Sequence, residues 1–123
     1  MYNQLDTNDK IKAAAMEEFL KNGFQMASLR NIVKIAGVTT GAFYGYYKSK
    51  EELFESLVDE QYNHIMKMYI DTQNEFKQLD TDTMQSSMGK ISGDCMEDML
   101  DYMYDNVNEF RLILMCSKGT KYE

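Results

Sequence analysis

The chain has 123 residues, of which 44% are hydrophobic and 27% are charged, and its formal net charge at pH 7 is −7. This composition is typical of a globular domain rather than a disordered segment. No apolar run reaches the roughly 18 residues that a membrane-spanning helix needs, and the first residues lack the pattern of a signal peptide. The two cysteines give neither a disulfide framework nor a metal-binding pattern. We therefore expect a cytoplasmic protein with no membrane partner, no metal and no cofactor.

The charge is distributed unevenly along the chain. Residues 1–50 carry seven Lys and Arg against four Asp and Glu, a net of +3, whereas residues 51–123 carry six against sixteen, a net of −10. Such asymmetry fits a modestly basic binding head followed by an acidic body. Solvated helix faces often reach a net of +3 as well, so the charge alone does not assign a DNA partner.

The first predicted helix covers residues 7–22. Its apolar residues recur every three or four positions, as in an amphipathic helix, and the chain contains no proline to interrupt it. Thr7 or Asn8 can cap its beginning, and Gly23 can end it because glycine tolerates a positive φ.

Two short helices are predicted next. Ser28 caps the second helix and Gly37 ends it, and Thr39 or Thr40 begins a third helix of about seven residues. A helix, a glycine-containing turn and a further short helix make a helix-turn-helix layout.

A long fourth helix is predicted to begin at a capping box. The hydroxyl of Ser49 can accept a bond from the N–H of Glu52, and the Glu52 carboxylate can accept one in return from the N–H of Ser49. Apolar residues then continue at helical spacing to about Leu79, and thirty residues at 1.5 Å each span about 45 Å. Because a compact three-helix head needs no such length, this helix is expected to connect the head to a second body.

The remaining sequence predicts a turn at residues 79–83 and two more helices, the last of them within residues 109–117. The sequence offers no strand candidate. We therefore predict an all-α fold in which a three-helix bundle with a helix-turn-helix is followed by a long connecting helix and a partial C-terminal helical bundle.

The segment from residue 28 to residue 54 carries the most specific pattern in the chain. It combines a tight turn, a small residue, two aromatic pairs and a Lys-x-x-Leu: Ala36-Gly37-Val38, Gly41, Phe43-Tyr44, Tyr46-Tyr47 and Lys50-Glu51-Glu52-Leu53. In order and spacing, this pattern resembles the DNA-binding head of the TetR family of transcriptional regulators.

The resemblance implies two domains. Residues 1–48 would form the helix-turn-helix DNA-binding domain, and residues 49–123 would form the connecting helix and an incomplete ligand-binding and dimerisation domain. Family members are usually longer, and their last helices usually form the dimer interface. We therefore expect a truncated member, which would form a homodimer when full-length.

The third helix is short enough to enter a DNA groove end-on. Seven residues span roughly 10 Å, and the major groove is about 12 Å wide. Thr39, Thr40 and Gly41 occupy the tip, where a threonine can hydrogen-bond to a base or touch a thymine methyl group. Gly41 and Ala42 lack bulk, so the backbone can approach the DNA and free N–H groups can bind phosphate. The two threonines also cap the helix, which is compatible with DNA contact.

The four aromatic residues of this helix are expected to face two ways. Phe43 and Tyr47 are four positions apart and share a face that should turn into the core. Tyr44 and Tyr46 should point outward, where tyrosine hydroxyls are suited to phosphate oxygens. The alternative for Tyr44 and Tyr46 is an amphipathic rim whose hydroxyls reach water.

Three basic residues complete the predicted DNA-binding set. Lys48 and Lys50 flank the start of the long helix, where the positive end of the helix dipole disfavours a cation unless an anion binds there. A DNA phosphate would be such an anion, and the resemblance implies that Lys50 contacts the DNA backbone. It also implies that Arg30 reaches a phosphate or a base edge.

The acidic body contains a candidate cavity for a small-molecule effector. Core packing is the commoner role for these side chains, and a cavity between the long helix and its neighbours is the alternative. The candidate lining residues are Tyr62, Met66, Met99, Tyr102, Met103 and Phe110. The lone His64 has no second ligand at metal-binding spacing, and we find no catalytic residue, so no enzyme activity is expected.

The sequence therefore favours a ligand-responsive repressor that binds a palindromic double-stranded DNA operator as a dimer. In this hypothesis, a small-molecule effector would move the long helix and change the spacing of the recognition helices. The alternative is a helical interaction module that does not bind DNA, in which the acidic, methionine-rich body binds a protein or an apolar ligand.

Overall fold

The structure, a computed structural model, describes residues 6–123 apart from the side chains of residues 81 and 84–86. Residues 1–5 of the predicted first domain thus lie outside the described residues. The described part of the chain is all-α and contains no strand, which confirms the predicted fold class. Its helices are α1 (Thr7–Met26), α2 (Leu29–Ala36), α3 (Thr40–Tyr46), α4 (Lys50–Lys77), α5 (Thr81–Asp105) and α6 (Val107–Met115).

Helix α1 begins at Thr7 as predicted, but its N-cap lies one residue before the predicted candidates. The N–H of Asp9 donates to Oδ1 of Asp6 at 2.7 Å, so Asp6 is the N-cap and the prediction of Thr7 or Asn8 is wrong. Aspartate is a favourable N-cap because its side chain accepts the bond from the N–H three positions later. It also places a negative charge at the positive end of the helix dipole. The predicted break at Gly23 is confirmed, since its φ of 76° interrupts the helix before a last turn.

The helix-turn-helix forms as its local signals predict. The N–H of Asn31 donates to Oγ of Ser28 at 3.2 Å, and the N–H of Ala42 donates to Oγ1 of Thr39 at 3.0 Å, which caps α2 and α3. Gly37 ends α2 with a φ of 72°, a left-handed conformation that favours glycine.

Of the two hydrogen bonds predicted for the capping box at the start of α4, one is confirmed and the other has a different donor. The N–H of Glu52 donates to Oγ of Ser49 at 3.1 Å, as predicted. The Glu52 carboxylate accepts from the N–H of Lys48 at 3.1 Å, rather than from that of Ser49. The side chain therefore reaches one residue further back and satisfies an N–H in the loop between α3 and α4.

The chain divides into two compact units. One contains residues up to Asp59 together with Asn108–Glu123, and the other is Glu60–Val107. The first unit holds a buried aromatic and aliphatic core: Ile11, Phe19, Phe24, Ile32, Phe43, Leu53, Phe54, Val58, Phe110 and Leu112. Nearly all of α6 therefore belongs to the same compact unit as α1–α3. The sequence instead predicts a domain boundary between residues 48 and 49, which stays a prediction.

Two further contacts join the C-terminal residues to the helices of the first unit. The N–H of Phe24, freed by the break at Gly23, donates to the carbonyl oxygen of Cys116 at 2.8 Å. The hydroxyl of Tyr122, a buried residue, donates to Oδ1 of Asp59 at 2.6 Å. The residues after α6 therefore pack as part of the first unit.

The second unit consists of the C-terminal part of α4 and helix α5. Among its described side chains, none is fully buried. The ring of His64 on α4 stacks on that of Tyr102 on α5, with centroids 4.0 Å apart. No described helix of the chain is both long enough and apolar enough to cross a membrane.

Candidate nucleic-acid interface

The rings of α3 divide between the core and the surface. Phe43 is 0% and Tyr47 is 7% exposed, whereas Tyr44 is 53% and Tyr46 is 49% exposed. The predicted inward orientation of Phe43 and Tyr47 is confirmed. The outward pair therefore exposes two phenol rings on the surface of the helix-turn-helix.

The inward pair anchors α3 to the beginning of α1. The Phe43 and Tyr47 ring centroids are 5.8 Å apart, and the Tyr47 hydroxyl donates to Oδ1 of Asn8. Asn8, predicted as a possible helix cap, instead accepts this bond across 39 positions of sequence. A short helix of seven residues is held in place by this packing rather than by its own hydrogen bonds.

The tip of α3 is open to solvent. Thr39, Thr40 and Gly41 are exposed and Ala42 is half-buried. The Thr39 hydroxyl oxygen accepts the cap bond from Ala42, which leaves its O–H available to donate outward.

Neither the backbone conformation nor the packing of the folded chain requires a glycine at position 41. Its φ is not positive, and a Cβ built on it would meet Oγ1 of Thr39 at 3.9 Å, an ordinary contact distance. Glycine within a helix costs roughly 0.5–1 kcal/mol relative to alanine, so the fold alone would favour a larger residue here. A bare backbone at an exposed helix tip is suited to close approach by an external molecule.

Two of the predicted basic residues lie on the surface. Arg30 in the first turn of α2 and Lys48 after α3 are both exposed. Together with the exposed Tyr44 and Tyr46, they are side chains of the kind that bind the phosphate backbone.

The third predicted basic residue, Lys50, has partners within the protein. Its Nζ donates to the carbonyl oxygens of Gln25 at 3.4 Å and Ala27 at 3.3 Å, and it lies 4.5 Å from the centroid of the Phe24 ring. These contacts are not predictable from the sequence, because the partners are more than 20 positions away and two of them are backbone carbonyls. The predicted phosphate contact of Lys50 stays a prediction.

Glu18 is a structural residue that sequence analysis also missed. It is only 3% exposed, and one carboxylate oxygen, Oε2, accepts from Nδ2 of Asn22 at 2.9 Å and from the N–H of Ser28 at 2.8 Å. The carboxylate thereby fixes the backbone immediately before α2. An acid on the otherwise apolar face of α1 was the available signal.

The predicted effector-cavity residues are divided between the two compact units. Five of the six lie in the Glu60–Val107 unit, and Phe110 is buried in the other unit. Within Glu60–Val107, a groove of about 220 Å³ lies between α4 and α5. Of the predicted residues, Met99 lines this groove, together with Tyr69, Phe76, Cys95 and Met96.

The helix-turn-helix and its exposed tip define a DNA-binding domain of the bacterial regulator type, and comparison with known proteins agrees. The family model for bacterial regulatory proteins of the tetR family matches residues 11–57. The chain thus carries an N-terminal domain of the tetR family over residues 11–57, which confirms the predicted resemblance.

Individual relatives match over the same region. The chain is 34% identical over 64 residues to the HTH-type transcriptional regulator YdgC of Bacillus subtilis, covering 52% of this chain and 33% of that protein. It is 35% identical over 65 residues to TtgR of Pseudomonas putida, covering 50% and 31%. It is 32% identical over 71 residues to AcrR of Shigella flexneri, covering 58% and 33%. The chain thus spans about a third of the length of these relatives, all of which are named as HTH-type transcriptional regulators.

Proposed function

We propose that this protein is a cytoplasmic, ligand-responsive repressor that binds a palindromic operator as a dimer. The observation that carries the proposal is the exposed tip of α3, with its bare backbone at Gly41 and two outward tyrosines, on a helix anchored by Phe43 and Tyr47. A repressor needs only to occupy its operator, and a rigidly held recognition helix supplies the required binding.

In this proposal, the tip of α3 enters the major groove and the surrounding residues hold the DNA backbone. Thr39 and Thr40 contact base edges, while Gly41 and Ala42 allow the helix backbone to come close. The phosphate contacts are supplied by residues around the tip: Arg30, Tyr44, Tyr46 and Lys48. Lys50, whose ammonium group donates to two backbone carbonyls and has a third N–H, is a further candidate for a phosphate contact.

The proposed dimer would place two α3 helices in successive major grooves about 34 Å apart. The effector would bind in the Glu60–Val107 unit, whose groove between α4 and α5 has an aromatic and thioether lining. Its volume of about 220 Å³ is below the 300–1,000 Å³ of typical small-molecule sites, which favours a small apolar effector. Residues of α4 belong to both units, so we expect an effector bound there to act on the DNA-binding head through this helix.

A salt titration of binding to duplex DNA tests the proposal. The slope of log K against log salt is negative, and each lost phosphate contact makes it shallower by about 0.9, so we expect that change for Lys48→Ala. We expect Tyr44→Phe to weaken binding about tenfold to a hundredfold, as for the loss of one hydrogen bond to a charged group.

The matched control is Lys67→Ala, which removes an exposed lysine that pairs with Asp71 at 2.8 Å in the other unit. It should leave the slope unchanged. Binding that responds equally to Lys48→Ala and Lys67→Ala, or to neither of them, would contradict the proposed interface.

A further inference from the structure

The groove between α4 and α5 has three sulfur-containing side chains in its lining. Cys95, Met96 and Met99 line it from α5, and Tyr69 and Phe76 line it from α4. Cys95 and Met99 are four positions apart on one face of the helix, and both are half-buried. The thiol of Cys95 donates to the thioether of Met99, with Sγ and Sδ 3.4 Å apart. One thiol and two thioethers therefore line a groove of about 220 Å³.

The donor atoms of this groove are those that a soft metal ion prefers. Thiolate and thioether sulfur select Cu(I), whereas Mg²⁺ and Ca²⁺ prefer oxygen ligands. None of the described residues that line the groove is an aspartate or a glutamate. The spacing of cysteine and histidine residues predicts no metal in this chain, and no described group of three histidine, cysteine or acidic side chains could hold one. Neither criterion includes thioether sulfur, which is the ligand that this groove supplies.

The two inner sulfur atoms need little movement to share one ion. Two metal–sulfur bonds of about 2.3 Å, at about 120° to each other, place their sulfur atoms about 4.0 Å apart. Sγ of Cys95 and Sδ of Met99 are 3.4 Å apart, so a small opening is enough. The rotatable bonds of a methionine side chain permit such an opening. Met96 is 57% exposed, and the same flexibility lets its thioether serve as a third ligand.

The charge of this unit favours a cation in the groove. Glu60–Val107 contains three lysines against ten aspartates and glutamates, a net of −7, and such a field raises the local concentration of cations. Binding breaks the Sγ–H bond of Cys95 and forms an Sγ–Cu bond, while the proton leaves to solvent and neither atom changes its oxidation state. The ion replaces a proton, so no net charge is added to the groove.

We propose that Cys95 and Met99, together with Met96, bind a single soft monovalent metal ion, Cu(I), in the groove between α4 and α5. A single ion needs far less room than an organic molecule, so the small groove volume is no obstacle. Binding of the ion is a property of the chain without DNA. That the ion acts as an effector rests on the proposed repressor function, and the two parts are therefore measured separately.

The first experiment titrates the 123-residue protein with Cu(I) without oxygen, in competition with a coloured Cu(I) chelator. We expect the protein to withhold one equivalent from the chelator. Cys95→Ser should abolish this binding, whereas Cys116→Ser, which removes the other cysteine, should leave it unchanged. Loss of an outer-shell partner costs about 10–100-fold in metal affinity, so Met99→Leu, which loses a ligand, should weaken binding at least about tenfold. Met88→Leu, at an exposed methionine of α5 outside the groove lining, is the matched control and should bind as the wild type does.

Methionine-methyl NMR spectra locate the bound ion within the protein. With one equivalent of Cu(I), we expect the methyl signals of Met96 and Met99 to shift. The signal of Met26, which is 78% exposed in the other unit, should stay in place. Leucine conserves the volume of methionine, so Met99→Leu should keep the fold, which amide spectra of the metal-free variant check.

Three results of the titration would overturn the metal site. These are a wild type that withholds no Cu(I), an unchanged affinity in Cys95→Ser, and equal affinities of Met99→Leu and Met88→Leu. The last result would show a thiol that binds without its thioether. A methyl shift at Met115, beside Cys116, in place of Met99 would put the ion elsewhere and overturn the site as well.

A DNA-binding assay then tests the effector role, on a duplex selected from random-sequence DNA by the metal-free wild type. We expect one equivalent of Cu(I) to weaken binding by the wild type and to leave binding by Cys95→Ser unchanged. Equal effects on both proteins, or no effect on either, would overturn the effector role. A wild type that selects and binds no DNA would refute the proposed function, while the titration and the methyl spectra would still decide the metal site.

Discussion

Replacing Gly41 with alanine should stabilise the protein and weaken its binding to DNA. The φ of Gly41 is not positive, and the nearest atom to a new Cβ is Oγ1 of Thr39 at 3.9 Å, so the methyl group fits the folded chain without strain. Removing a helical glycine gains roughly 0.5 kcal/mol or more, which corresponds to a rise in Tm of about 2–4 °C. In the proposed complex, the added methyl group would lie where the DNA approaches the tip of α3. An overpacked contact costs about 1–3 kcal/mol, so affinity should fall about tenfold.

The assay pairs thermal unfolding with DNA-binding titrations, and Gly93→Ala is the matched control. Gly93 lies within α5, has no atom within 4 Å of a built Cβ, and has no positive φ. Its replacement should raise Tm similarly and leave DNA affinity unchanged. A drop in Tm for Gly41→Ala would contradict the local geometry. An affinity equal to that of Gly93→Ala would refute the close approach of the α3 tip to DNA.

Three other predictions concern positions outside the tip of α3. Glu18→Ala should lower the free energy of unfolding by about 1–3 kcal/mol, because it leaves the Ser28 N–H without its carboxylate; chemical denaturation checks this, and an equal cost for the exposed Glu17→Ala would contradict it. Burial raises the pKa of Cys116 above its ordinary 9.0, so alkylation followed by mass spectrometry should accelerate with a midpoint above that pH; a midpoint below 9.0 would refute the burial. Hydrogen bonds from Thr83 lower the pKa of Asp80 below its ordinary 3.8. This cap should therefore stabilise α5 above that pH and lose its effect as the pH falls through the lower native pKa; an NMR titration midpoint of 3.8 or higher would argue against it.

The local features of the fold follow from the sequence because their causes are local. The caps at Ser28 and Thr39 and the glycine turn at Gly37 depend on hydrogen bonds and φ preferences within four residues. The division of the α3 rings depends on helical spacing, so Phe43 and Tyr47 were predictable as the inward pair.

The features that could not be predicted depend on residues far apart in the chain. Lys50 meets carbonyls more than 20 positions away, and Tyr47 meets Asn8 across 39 positions. Residues 108–123 pack in the unit that contains α1. Their sequence predicts an apolar helix but does not show which other helix covers its apolar face. Periodicity identifies which face of a helix is apolar, but it does not say which other helix covers that face.

The predicted effector cavity illustrates the same limit. Its six candidate residues were chosen as large side chains on apolar faces, and the structure divides them between two units. The groove between α4 and α5 is lined instead by Tyr69, Phe76, Cys95, Met96 and Met99, since side-chain positions around a groove depend on how two helices pair.

The most direct test of DNA binding through α3 is amide chemical-shift mapping of the labelled protein with a short duplex at low salt. Non-specific binding, with dissociation constants of about 10⁻⁴–10⁻⁶ M, is strong enough for this measurement without knowledge of the operator. We expect the largest shifts at residues 28–30 and 39–48, and none within Glu60–Val107. Shifts that are absent, or that concentrate in Glu60–Val107, would contradict the assignment of α3 as the DNA-binding element.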